Sequence, residues 1–188
     1  MLPGSPSPTL DPIAATRHWL QQVVIGLNLC PFAKAVLVKD QIRFVLSEAR
    51  DAEALLTELI AELTLLHATP ADEVDTTLLI HPQVLTDFLD YNDFLDIAEA
   101  AITEFDLDGE IQIASFHPDY RFADSYDDAI ENHTNRSPFP MLHLLREASV
   151  ERAVDAFPDA GAIIDRNMAT LRKLGADGWR RLMATPDG

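Results

Sequence analysis

The sequence predicts an α/β fold: a small mixed, largely parallel sheet, with a hairpin at its edge and two crossover strands, packed by helices. Three observations carry this expectation. Two long amphipathic segments, "DAEALLTELIAELTLLH" and "TDFLDYNDFLDIAEAAITEF", alternate with two short apolar runs, "TTLLI" and "IQIASF", and strands alternating with helices of that length imply parallel crossovers. Both runs stop at a His-Pro pair, His81-Pro82 and His117-Pro118, and proline ends a ladder because it brings no backbone donor. The chain has 188 residues, 47% of them hydrophobic, enough to bury a core without a metal or disulfide staple. A ferredoxin-like α+β arrangement is the alternative, and the strand directions decide between the two.

Four prolines with Gly and Ser in the first twelve residues cannot repay the cost of ordering, so residues 1–11 read as a disordered tail. One globular domain is expected over 12–183, with a short tail at 184–188. In "PIAATRHWLQQVVIGL", Ile13, Trp19 or Leu20, Val23, Val24 and Leu27 recur at helical spacing, with Pro12 suited to the first turn. "AVLVKDQIRFVL" reads as two strands joined by a tight turn at Lys39-Asp40, Ile42, Phe44 and Leu46 alternating with Arg43 and Val45. Leu55, Leu59, Leu63 and Leu66 then share one helical face, and after the strand ending at Ile80, Thr86 is placed to cap the next helix. The acidic residues Asp87, Asp90, Asp93, Asp96 and Glu99 step around that helix by threes, which describes a solvated face. After the turn at Asp108-Gly109 and the third strand, residues 117–140 form a long polar stretch with a short helix at "SYDDAIENH". Such stretches tend to be functional. Helices over about 140–156, 159–173 and 178–183 complete the expectation.

The formal charge of −17 is uneven: residues 1–135 hold 24 acidic and 6 basic side chains, residues 136–188 hold 7 and 8. Nucleic acid is therefore not expected as a partner, because its affinity comes from phosphates neutralised by Lys and Arg. No apolar run approaches the ~20 residues that cross a bilayer, and a secretory leader is not expected from "MLPGSPSPTLDP", which has neither a charged start nor an apolar stretch. With Cys30 the only cysteine, no disulfide forms within the chain, and a soluble cytoplasmic protein is expected.

If the strands before His81 and His117 run the same way in one sheet, both imidazoles leave it at its carboxyl edge, where open α/β sheets bind ligands. Imidazole suits such a place as proton acceptor, donor or metal ligand, although a histidine at a strand end also caps loop carbonyls. In "GLNLCPFAK", Pro31 suits the first residue of a short helix, with Cys30 at the N-cap and Lys34 one turn on, a setting that favours thiolate. The competing reading is an inert, buried thiol. The stretch from His117 to Glu147 gathers Tyr120, Asn135, Arg136 and His143. Ser137-Pro138 or Phe139-Pro140 would open a helix there, with "NRS" offering donors to a carboxylate or phosphate. Equally, Asn135 and Arg136 pin a long loop to the sheet edge. No dinucleotide fingerprint, phosphate loop, nucleophile elbow, zinc helix or C-x-x-C is present.

At "GLNLCPFAK", "LIHP" followed by "DFLDYNDFLDIAE", "FHPDYRFA" and "NRSPFPMLHLLRE", from about Thr16 to Leu174, the chain resembles a bacterial family catalogued as domain of unknown function 1415. The resemblance implies a bacterial cytoplasmic setting and supplies no reaction or cofactor. From the residues themselves, the leading expectation is a small-molecule enzyme acting on an anionic substrate at the carboxyl edge of the sheet. His117 or His143 would be the base, Cys30 a nucleophile, Arg136 the anion anchor, and Asn135, Tyr120 and His81 further ligand contacts. The alternatives are a non-enzymatic ligand- or protein-binding module, and a metal-binding protein using Cys30, His117 and His143.

Overall fold

In this computed structural model, residues 10–156 and 160–184 are described. Of the expected tails, all but Leu10, Asp11 and Ala184 lie outside the described residues. Asp11 opens helix α1 (Pro12–Trp19), its carboxylate accepting the Ile13 N–H at 3.0 Å. The helix then widens into a π-helical turn over Leu20–Ile25, in which Gly26 N–H donates to the Gln21 carbonyl five residues back. Any Cβ at Gly26 would stand 2.2 Å from the Gln22 carbonyl oxygen, so only glycine closes that turn without a shift.

The expected edge hairpin is not formed. Ala33–Val38 is a short helix, α2, and only Ile42–Leu46 is a strand, β1. Ala33, Val36 and Leu37 turn inward at helical spacing, while Val38 is 77% exposed, so burial of one stripe overrides the strand preference of the valines. Helix α3 (Ala52–Ala68), strand β2 (Thr76–Ile80), helix α4 (Phe88–Glu104) and strand β3 (Ile111–Phe116) follow as expected, with Asp87 rather than Thr86 capping α4 through the Leu89 N–H at 2.8 Å. The five acidic positions of α4 are exposed. A 3₁₀ turn at Ile130–Thr134 interrupts the polar stretch.

Residues Met141–Arg146, expected as helix, form strand β4, and only Glu147–Asp155 is helical (α5). The segment contains no β-branched residue, so local propensity argues against a strand. What decides is its position between β2 and β3. It pairs antiparallel with both, which satisfies its backbone on two sides and buries Met141, Leu142 and Leu144 completely. Helix α6 (Ala160–Met183) breaks at Gly175, whose φ of 65° is left-handed, where two helices were expected.

The sheet order is β1-β2-β4-β3, with β1 parallel to β2. Since β2 and β3 both run opposite to β4, three of the four strands share one direction. The parallel pair excludes the antiparallel alternative. Leu79, Leu142, Leu144 and Ile111 pack on one face against α3 and α4. Leu78, Ile80 and Met141 pack on the other against Trp19, Leu20, Val23, Leu171 and Trp179, as strand alternation requires.

Tyr91 of α4 ties the carboxyl edge together. Its buried hydroxyl donates to the Met141 carbonyl at 2.8 Å and accepts the Phe116 N–H at 3.0 Å. Those two residues are partners in the β3–β4 register. Tyr91→Phe is expected to lower stability by ~2–4 kcal/mol, because a carbonyl and an N–H lose their buried partner together; urea unfolding measures this, and a loss below ~1 kcal/mol would show that the strands close up unaided.

Candidate functional site

The shared direction of β2 and β3 does bring His81 and His117 to one sheet edge, and to one face. Both rings pack on Tyr91, at centroid separations of 5.8 and 5.1 Å, with Phe88 5.5 Å from His117 and 5.3 Å from Tyr120. Three of their four nitrogens, however, are engaged with the loops that follow. His117 Nδ1 accepts the Asp119 N–H at 3.0 Å, which leaves the proton on Nε2, facing the Leu85 carbonyl at 3.2 Å. With both nitrogens held by backbone, His117 has no free lone pair for a substrate or metal. The expected base is instead a clamp between two loops. His81 Nδ1 is 3.0 Å from the Val84 carbonyl and, as a donor to it, leaves Nε2 an acceptor that is buried without a partner. Burial pushes its pKa down to about 4.

Asn135 and Arg136 also serve the loop. Asn135 Nδ2 donates to the Ser115 carbonyl at 3.0 Å, and Arg136 donates through Nε to Tyr120 and through Nη2 to Asp127, both at carbonyls. Arg136 does line a cavity of about 310 Å³ beside the start of α4, together with Arg121, Asp87, Asp119 and Asp127. Arg121 pairs with Asp127. Three carboxylates against two guanidiniums make this a poor place for the expected anion.

Strand alternation sends His143 the other way. It lies opposite Leu78 and Ala114 in the register and lines a cavity of about 400 Å³ on the face covered by α1, the π-helical turn and α6. Cys30 and Asn135 line the same cavity, so the structure gathers three of the seven expected site residues and leaves His81, His117, Tyr120 and Arg136 outside it. The cavity lies against the sheet face rather than at the carboxyl edge. Its walls include Trp19, Leu20, Val24, Phe116 and Leu145, and Leu20 and Val24 both belong to the π-helical turn. Such turns recur at functional sites.

Cys30 is not an N-cap, since α2 starts at Ala33 with Phe32 in that role. The helix-dipole argument for an activated thiol therefore does not apply. Cys30 is a half-buried free thiol on the cavity wall. The metal trio Cys30, His117 and His143 is split between the two faces, and among the described residues no group of three His, Cys, Asp or Glu side chains could hold a metal ion.

Sequence reading missed Thr76, whose Oγ1 is 2.7 Å from His143 Nε2, and Asp75, which accepts from Ser149 Oγ at 2.6 Å and faces the same cavity. A polar residue on each of two neighbouring buried strands is the available signal, but a helix expected over 140–156 hides it. Burial alone pushes the His143 pKa down to about 4, so the ring is neutral at pH 7.

These features define a class: an α/β protein whose mixed sheet is layered by helices on both faces, with a ligand-sized cavity between one face and its helices. More narrowly, the chain belongs to the family described as protein of unknown function (DUF1415), whose model matches residues 11–181. Comparison with curated proteins and with solved structures finds no match. Among the described residues, no helix is long and apolar enough to cross a membrane.

Proposed function

We propose that this protein binds a small, uncharged, mainly apolar molecule in the 400 Å³ cavity, with His143 and Cys30 as the side chains available for chemistry on it. The observation that carries the reading is the combination of an apolar wall with a neutral imidazole held by Thr76, the usual composition of a ligand pocket, in which a few placed polar groups fix orientation. The volume lies within the ~300–1,000 Å³ typical of such sites. An enzyme that uses His143 as base and Cys30 as nucleophile is one form of this function, and a carrier or sensor of the same molecule is the other. A cytoplasmic setting suits both, because Cys30 is a free thiol on the cavity wall. The anionic substrate expected from Arg136 fits less well: among the described lining residues there is no Lys or Arg, and Asp75 is one of them.

The neutral dye N-phenyl-1-naphthylamine tests this directly. Its fluorescence is expected to rise saturably on binding, with quenching of Trp19, whereas its sulfonated analogue 8-anilino-1-naphthalenesulfonate binds at least ~10-fold more weakly, a difference of ~1.4 kcal/mol. Ala114→Phe, which projects a ring from β3 onto the same face, is expected to abolish the signal. A signal unchanged in that variant, or tighter binding of the sulfonate, would overturn the reading.

A further inference from the structure

Resting on that reading, we infer that the natural ligand is a neutral aromatic hydrogen-bond donor, of the phenol or indole class, and that its O–H or N–H is received by Nδ1 of His143. The Thr76 hydroxyl has one proton, and that proton goes to the Leu144 carbonyl, 2.6 Å away. Towards His143 the same oxygen is therefore an acceptor, so the 2.7 Å contact places the imidazole proton on Nε2. In a neutral ring Nδ1 is then a bare lone pair. The ring's hydrogen bond to a described residue is made through Nε2, and His143 is one of the residues that line the cavity. A donor on the ligand would meet that lone pair among mainly apolar lining residues.

The walls set the rest of the class. Trp19 and Phe116 meet edge to face at 5.3 Å, and Phe116 lies 6.0 Å from the His143 ring, so an aromatic surface adjoins the lone pair. Flat apolar ligands gain from such edges and faces. Asp75 is already met by Ser149 Oγ, and Arg152 stands 4.0 Å from the same carboxylate oxygen. With Asp75 met in this way and no Lys or Arg among the described lining residues, no cation lines the cavity to hold a phenolate, which favours the protonated phenol over its anion. A pocket that must satisfy a buried acceptor discriminates against isosteres lacking the donor far more than a purely apolar pocket does.

The experiment is displacement of N-phenyl-1-naphthylamine from the full-length protein by p-cresol, toluene and 4-methylanisole, which share a ring and differ in the donor. The expected result is that p-cresol binds at least ~10-fold more tightly than the other two, and that His143→Leu removes the difference. As a readout on the unaltered protein, p-cresol is expected to move the ¹⁵N resonance of His143 Nδ1, and toluene to leave it in place. Equal affinities for p-cresol and toluene, both still blocked by Ala114→Phe, would overturn the donor inference and leave the cavity reading intact. A preference that survives in His143→Leu would also overturn it. No displacement by any of the three while the dye itself remains blocked by Ala114→Phe overturns the ligand class alone; dye binding insensitive to Ala114→Phe overturns the cavity reading with it.

Discussion

Arg146→Met is expected to destabilise the protein by ~3–5 kcal/mol, the largest single effect of any side chain near the site. Arg146 is the last residue of β4, and its guanidinium donates to three backbone carbonyls, Leu66 and Thr69 at the end of α3 and Val74 just before β2. Carbonyls at a helix C-terminus have no partner within the helix, and a cation there also opposes the negative end of the helix dipole. Methionine preserves the length of the side chain but none of the donors, so three acceptors must find water or go unpaired. Arg146→Lys should recover only part of the loss, about half, because one ammonium cannot reproduce a planar fork spanning three acceptors. Urea unfolding monitored by circular dichroism checks both. If Arg146→Met costs under ~1 kcal/mol, the α3 terminus is held by something else. Beyond stability, the anchor pins the register of β4, and a one-residue slip would turn His143 from the cavity to the α4 face. Loss of dye binding in Arg146→Met at temperatures where the protein stays folded is the corresponding functional signature.

Acid should weaken the fold through two histidines. Burial holds both His81 and His143 at a pKa of about 4, below the ordinary 6.5. Between those values the unfolded chain takes up a proton at each ring that the folded chain refuses. Stability therefore falls as pH drops from 6.5 towards 4, is insensitive to these groups above that window, and loses no more below it. At pH 5 each ring costs ~2 kcal/mol, rising to ~3 kcal/mol once both states are protonated. The chain's charge of −17 complicates the raw curve, because protonated carboxylates relieve repulsion over the same range. The informative quantity is the difference between wild type and variants. His81→Gln and His143→Gln should each flatten the dependence between pH 4.5 and 6 by ~1.2 kcal/mol per pH unit, most of the slope of one proton. Variant and wild-type curves that run parallel would mean that the rings titrate normally in the folded protein. Occupation of the cavity by a donor should steepen the effect at His143, since protonating Nδ1 would remove the acceptor the ligand uses.

The candidate site was half legible. Strand ends at His81 and His117 and their common edge follow from apolar runs stopped by proline. No sequence pattern shows that the loop just after His117 returns the Asp119 N–H to its ring while the Leu85 carbonyl faces the other nitrogen. For Asn135 and Arg136, the loop-pinning alternative describes the contacts. A helix over 140–156 would set His143 and Arg146 one turn apart on one side. In the strand those two residues face opposite sides of the sheet, one to the cavity and one to the end of α3.

By itself the sequence determined the elements whose periodicity and burial agree. Leucines four apart bury one side of α3, Tyr91, Phe94 and Ala98 bury one side of α4 while its carboxylates face water, and β2 and β3 are short apolar runs with proline stops. Their alternation was enough for an α/β fold with β2 and β3 running one way. Only the tertiary structure decided the two segments where propensity and placement conflict. "AVLV" has the valines of a strand, yet with one inward stripe and Val38 in solvent it is a helix. "MLHLLR" has the composition of a helix, yet between β2 and β3 it finds a ladder partner on both sides as a strand. The physical reason is the same in both: a few tenths of a kcal/mol per residue of intrinsic preference yield to burial and backbone hydrogen bonds worth several times more. That second decision is also what turns His143 into the cavity.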